Sequence, residues 1–229
     1  MDEAQVERAK RRAGESAAEA VRDGDVVGLG TGSTAAHAIR ALGEAVEAGL
    51  AIEGVPTSHQ SRALAREVGI PVRPLSDVSR VDVAVDGADE TLSDGSAVIK
   101  GGGAAHAREK VVDAAADRFL VVVDERKLTE PLAHPVPVEV LPAARSAVAA
   151  RVEAIGGEPT LRAAERKDGP VVTDNGNLVL DCAFGSVTDP TRLAAELAAV
   201  PGVVEHGLFV GLADEVHVGG ADGVRVTGR

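Results

Sequence analysis

Hydrophobic positions along the chain alternate between a helical rhythm and short unbroken apolar runs. Residues 3–22 carry Val6, Ala9, Ala13, Ala17 and Ala20 at helical spacing, and residues 33–49 carry Ala35, Ile39, Leu42 and Val46 along one stripe. Between them "DVVGLG" (25–30) is an apolar run closing on glycine, which predicts a buried strand. The alternation continues with strand "LAIEGV" (50–55), a helix near 59–68, strand "VDVAVD" (81–86) and the short run "AVIK" (97–100). A helix over 104–116 and strand "FLVVVD" (119–124) follow. Strands apolar on both faces and separated by helices predict an α/β fold with a mainly parallel sheet. Ligands of such sheets bind beyond the carboxyl ends of the strands. "GTGST", "DGAD", "KGGG" and "DERK" each follow a predicted strand, so they are expected to converge on one edge.

The rhythm breaks at "PLAHPVPVEVLP" (131–142), whose four prolines predict a linker or an edge strand. Beyond it lie a helix (143–155), a hairpin "VVTDNGNLVLDCAF" with an Asn-Gly turn, and a helix "DPTRLAAELAAV" (189–200). These predict a smaller α+β domain over 133–204. The tail "GLFVGLADEVHVGGADGVRV" offers short strands that return to the first sheet, giving a larger domain of 1–132 plus 205–229.

Composition narrows the function classes. Aromatic residues are three Phe with no Trp or Tyr, so the core rests on Ala, Val, Leu and Ile, and stacking on bases is largely excluded. Twenty-four basic against 36 acidic residues leave a net charge of -12, which repels nucleic acid and anionic membranes. Only five of the cations are lysines, at 10, 100, 110, 127 and 167, and an acidic, lysine-poor chain suggests adaptation to high salt. One cysteine, Cys182, excludes an internal disulfide, and the N-terminus has no apolar signal segment, so a cytoplasmic location is expected.

The candidate chemistry sits in the four loops. In "GLGTGST" (28–34), glycines and the hydroxyls of Thr31, Ser33 and Thr34 lead into a helix, which makes either an anion site or a plain tight turn with a Ser cap. It lacks the lysine of a P-loop, and Ser33 stands where a dinucleotide fingerprint has a third small residue. "VDGADE" places Asp86 and Asp89 at a strand end, as acceptors for sugar hydroxyls, proton carriers, Mg²⁺ ligands or simply turn and cap residues. Lys100 nearby would keep them ionised. In "KGGGAAHAREK" the glycines 101–103 favour close backbone approach to a ligand. Glu109 falls in the second turn of the helix that follows, and its spacing alone favours a solvated helix residue. The charge run of "DERK" is either a solvated loop or a binding feature, and Lys127 within it is a point-charge cation at a strand end, which suits a phosphate. The six histidines are scattered without metal-ligand spacing.

Taken in order, "GTGSTA", "DGADE", "KGGGAAHAREK", "VVVDERKL", "VVTDNGN" and "PGVVEHGLF" closely resemble the type A ribose-5-phosphate isomerases, nearly end to end. The resemblance implies a Rossmann-like domain with a smaller α+β, ferredoxin-like domain, assembled as a homodimer or homotetramer. It implies a sugar phosphate substrate, no metal and no cofactor. Glu109 matches the family's general base, and Asp86, Asp89 and Lys100 match its other catalytic positions. Thr31, Gly32, Ser33 and Thr34, the loop Asp86, Gly87, Ala88 and Asp89, and Lys100 with Gly101, Gly102 and Gly103 match its substrate loops. Lys127 matches a further contact, and Lys10 a phosphate contact in a region with little motif. The rivals are a sugar-phosphate-sensing effector domain, another sugar-phosphate enzyme on a similar fold (deaminase, lactonase or acyl-CoA transferase), and a nicotinamide-dependent dehydrogenase. The effector reading wants a DNA-binding module, and 24 residues precede the first predicted strand.

Overall fold

A computed structural model describes residues 1–228. The chain begins with helix α1 (Glu3–Ala18), strand β1 (Val26–Leu29), helix α2 (Ser33–Glu47), strand β2 (Glu53–Pro56) and helix α3 (His59–Glu67). Strands β3 (Val81–Gly87), β4 (Glu90–Thr91) and β5 (Ala97–Ile99) follow, then helix α4 (His106–Ala114) and strand β6 (Ala116–Asp124). Next come β7 (Val136–Val140), α5 (Arg145–Ala154), β8 (Glu158–Leu161), β9 (Leu178–Ala183) and α6 (Pro190–Ala198). The last strands are β10 (Val203–His206), β11 (Leu208–Val210), β12 (Glu215–Gly219) and β13 (Val224–Gly228).

Six strands form the central sheet in the order β13-β12-β6-β3-β1-β2, parallel except for the antiparallel edge β13. Both faces are covered, and the alternation of side chains along each strand explains how. Val83, Val85, Leu120 and Val122 point into a cluster with Ala13, Ala17, Ile39 and Leu42 of α1 and α2. Their neighbours Ala84, Phe119, Val121 and Val123 point into a second cluster with Phe209 and Val216. The small residues of α1 let it sit close, and a capping box between Asp2 and Gln5 starts it. A second, antiparallel sheet runs β10-β7-β9-β8 and packs with α5 and α6 around Val138, Val148, Leu180 and Leu197. A three-stranded sheet, β11-β5-β4, joins the two. Among the described residues, no helix is long and apolar enough to cross a membrane.

The proline-rich segment is not an edge strand. β7 is buried along its whole length and lies between β10 and β9. It tolerates Pro137 because that residue's carbonyl faces the β10 side, where it accepts from the Gly207 N–H just past the end of β10. The missing proline donor therefore falls beyond the ladder. The hairpin is also different from expectation. The Asn-Gly turn forms, but its first arm holds only a single bridge, Val172 to Leu178, while β9 pairs with β7 and β8. The end of that arm and the turn are tied to β7 instead: Thr173 Oγ1, Asn175 Nδ2 and Asn177 Nδ2 all donate to Glu139 Oε1, at 2.9, 3.0 and 2.7 Å. Strand β8 carries no alternation strong enough to mark it in the sequence.

Glu139 is fully buried in β7 and serves these three donors. Glu139→Leu would leave the buried Thr173 hydroxyl without its acceptor and release the more exposed Asn175 and Asn177 amides, and a loss of about 1–3 kcal/mol is expected in urea unfolding. Glu139→Gln keeps one acceptor oxygen and is expected to lose clearly less.

Candidate active site

From β1 the chain passes to β2 on one side of the sheet and later reaches β3 on the other. The loops leaving the carboxyl ends of β1 and β3 therefore part from one another, and the opening between them is where such sheets bind ligands. A cavity of about 240 Å³ lies there, walled by residues 31–34, 87–89, 100–103, Lys10, Glu109, Arg126 and Lys127. All four predicted loops meet at it, and every predicted site residue except Asp86 lines it.

Asp86 lies underneath, fully buried, and acts as a bracket. Its Oδ1 accepts from the backbone N–H of Thr31 at 3.0 Å and of Gly87 at 2.7 Å, which ties the first loop to the second. Gly30 makes room for it, since a Cβ there would stand 2.2 Å from the Asp86 carboxyl. Asp89 ties the second loop to the third by accepting from Gly102 N–H at 2.7 Å. Gly101 holds φ at +112°, a backbone conformation that glycine adopts without strain, and Ala104 follows with φ +56°. These two residues delay the helix. α4 starts at His106, not 104, and Glu109 falls in its first turn, not its second.

Glu109 is 3% exposed, which rules out the solvated reading. Its neighbours on α4 hold it in place from the small sheet's side. Arg108 donates to Asn175 Oδ1 at 2.7 Å and to the Asp174 carbonyl at 2.9 Å, and Lys110 pairs with Glu205 at 2.7 Å. Glu109 itself faces Lys100. The Lys100 ammonium, 2% exposed, stands 2.9 Å from Asp86, 3.4 Å from Glu109 and 3.9 Å from Asp113, and donates to the Gly87 carbonyl at 2.6 Å. The Phe209 and Phe119 rings lie 5.3 and 6.0 Å from it.

This packing sets the proton affinities. Burial would lower that of Lys100, but three surrounding carboxylates outweigh it and raise it, so the ammonium stays charged. Burial pushes the Glu109 carboxyl up to about 8, helped by Asp86 and opposed by Lys100. Burial likewise raises Asp86, against Lys100 and two backbone N–H groups, and carries Asp113 well above the ordinary carboxylate range. A carboxyl held near neutrality at a cavity wall is suited to taking and returning a proton.

The far end of the cavity is cationic. α2 begins at Ser33 with Gly32 as its cap and no side chain on its first-turn N–H groups. Lys10 donates to Ser33 Oγ at 3.0 Å, which places it at the same spot, and Lys127 lines the wall beside Arg126. Uncapped first-turn donors with adjacent cations form an anion site. Sequence reading missed Arg126, Asp113 and the Arg108–Lys110 anchorage. Arg126 was within reach as part of "DERK", but it pairs with Asp124 at 2.7 Å. Asp113 gave no signal beyond standing four residues after Glu109.

A family model described as ribose 5-phosphate isomerase A (phosphoriboisomerase A) matches residues 53–223. A ribose-5-phosphate isomerase A of Haloarcula marismortui is 71% identical, covering 95% of this chain and 94% of its own. Its source is a halophile, in keeping with the acidic composition. A D-ribose-5-phosphate isomerase solved in complex with phospho-erythronic acid superposes with a TM-score of 0.95 at 44% identity, covering 98% of this chain and 99% of that one. The ribose 5-phosphate isomerase A of Methanocaldococcus jannaschii gives 0.92 at 43% identity, covering 96% and 98%.

A carboxyl whose pKa is raised on folding favours the native state at low pH, and that advantage fades as pH rises from 4.5 through about 8 for Glu109. Relative to the parent protein, Glu109→Gln should therefore become progressively more stable as pH increases across this window. Urea unfolding at pH 5, 7 and 9 reads the trend, and a difference that stays constant with pH would contradict the assigned shift. Asp113→Asn is expected to move the same way.

Proposed function

The chain belongs to the ribose 5-phosphate isomerase A family, and we propose that it interconverts ribose 5-phosphate and ribulose 5-phosphate through a cis-enediolate, with Glu109 as general base and no metal ion. The observation that carries this reading is the buried Glu109 carboxyl at the cavity wall, 3.4 Å from a buried, permanently charged Lys100.

The phosphate is anchored at the α2 N-terminus by Lys10, the first-turn N–H groups and Lys127, which directs the carbonyl end toward Lys100 and Glu109. Glu109 removes the proton from C2. The electron pair of that C–H bond forms the C1–C2 double bond, and the carbonyl π electrons move onto O1. Lys100 and the Gly103 N–H stabilise the oxyanion, so the protein's own cation meets the charge that develops. Asp89 orients the hydroxyls and passes the oxygen-bound proton between O2 and O1, while Asp86 supports both loops. Glu109 then returns its proton to C1 on the same face, and the atoms balance with nothing consumed. Phospho-erythronic acid, present in the similar solved structure, combines a planar anionic carboxylate with a phosphate, the two features of such an enediolate. The same reading carries a cytoplasmic enzyme and assembly as a homodimer or homotetramer.

Ribulose 5-phosphate formation from ribose 5-phosphate in EDTA is the direct test. Glu109→Gln is expected to lower kcat by about 10²–10⁴-fold with KM little changed. Because the base acts ionised, kcat/KM of the parent protein should rise with pH and level off above about 8. Turnover that EDTA abolishes, or near-normal turnover in Glu109→Gln, would overturn the metal-free or the general-base assignment respectively.

A further inference from the structure

Arg162 lies just past β8, behind the glycine loop, and is not among the cavity walls. Its side chain is 15% exposed, and its guanidinium is held by Asp181 of β9, with Nε donating to Oδ2 at 2.9 Å and Nη2 to Oδ1. Held there, it turns Nη1 toward the loop and donates to the carbonyls of Gly101 at 2.7 Å and Gly102 at 3.1 Å. These two carbonyls belong to consecutive peptide units. In a trans peptide the carbonyl and the following N–H point in opposite directions, so fixing one fixes the other. The Gly102 N–H is accordingly the group that donates to Asp89 Oδ2 at 2.7 Å, so this peptide is pinned at both ends, by Arg162 behind and Asp89 in front. The next peptide presents the Gly103 N–H on the side away from Arg162, and Gly103 lines the cavity.

Glycine peptides have little to keep them in one orientation, because no Cβ restricts their rotation. The loop's other internal bond, Ala104 N–H to the Gly101 carbonyl, leaves the 102–103 peptide free to turn. A guanidinium suits the task because its planar fork serves a carboxylate with one edge and two carbonyls with another group, which a lysine ammonium cannot reproduce.

We propose that Arg162, anchored by Asp181, is a positioning residue for the isomerisation: it sets the peptide planes of residues 101–103 so that the Gly102 N–H orients Asp89 and the Gly103 N–H faces the developing enediolate oxygen. This rests on the isomerase reading of the cavity. The role is specific to the transition state, since the charge on that oxygen appears only as the C2 proton leaves, and it therefore bears on kcat more than on KM.

The test pairs steady-state kinetics with amide hydrogen exchange of residues 100–105 in Arg162→Met, Arg162→Lys and Asp181→Asn. In Arg162→Met, kcat for ribose 5-phosphate is expected to fall about 10²-fold, with KM little changed and faster exchange confined to the loop. Arg162→Lys should recover part of the loss, and Asp181→Asn, which keeps the guanidinium but replaces its two-oxygen charged anchor with a single neutral acceptor, should show a smaller fall of the same kind. If Arg162→Met does not fold, the Lys and Asn variants carry the same kcat and exchange readouts. A kcat unchanged in all folded variants, a loss expressed in KM alone, or a loss without faster loop exchange would each overturn the proposal. Turnover by the parent protein tests the isomerase reading separately, and the exchange data report on loop positioning whatever that assay gives.

Discussion

Lys100 is a cation taken almost wholly out of water, and three carboxylates from different parts of the chain are gathered around it. Burying a lone ammonium costs several kcal/mol, and that cost is offset only while its partners stay in place. Asp86 comes from the end of β3, Glu109 and Asp113 come from successive turns of α4, and Lys100 itself follows β5. The central sheet, the joining sheet and α4 are thus locked to one another at a single point. The arrangement is also unbalanced, with three acids around one base. That excess keeps Lys100 charged, while burial first and the neighbouring acids second raise the proton affinity of Glu109 and Asp113, so the packing that secures the fold also tunes the cavity-wall carboxyl.

The smaller sheet contributes no wall residue to the cavity, yet it supports the walls from behind. Its 173–177 turn and strand β10 hold Arg108 and Lys110 on either side of Glu109, and Arg162 just past β8 is set by Asp181 of β9 against the glycine loop. Glu139 lies deeper in the same chain of contacts, fixing the 173–177 turn whose Asn175 then accepts from Arg108. Contacts of 2.7–3.0 Å run unbroken from the middle of β7 to the helix that bears Glu109. Loop backbone rich in glycine cannot position itself, and a second sheet behind it removes that freedom.

Much of this was legible along the chain, for a physical reason. Buried parallel strands must be continuous apolar runs, so their ends are visible, and the residues just past those ends are where the ligand binds. The meeting of "GTGST", "DGAD", "KGGG" and "DERK" follows from that alone. What spacing could not give was burial. Glu109 has the flanks of a solvated residue, Arg108 and Lys110, because those cations reach partners some 66 and 95 positions away. The role proposed for it rests on resemblance. β7 was misjudged because the missing donor of Pro137 counts against a central strand unless the neighbouring strand is known to stop there. Arg162 gave no local signal, since its meaning depends on a loop about sixty residues earlier.

The net charge of -12 poses a problem for a site that takes an anion, and the placement of the lysines answers it. Of the five, Lys10, Lys100 and Lys127 are at the cavity and Lys110 is paired beside Glu109, leaving Lys167 as the one elsewhere. In concentrated salt the screening length shrinks to ~3 Å at 1 M, so a distant positive field could not guide a sugar phosphate in, and distant acids could not keep it out. Only contacts at hydrogen-bond range survive such screening. Lys10 on Ser33 and the uncapped first turn of α2 act at that range. The acidic surface and the cationic cavity can therefore coexist because salt uncouples them, and the few lysines remain where a compact charge must touch its partner.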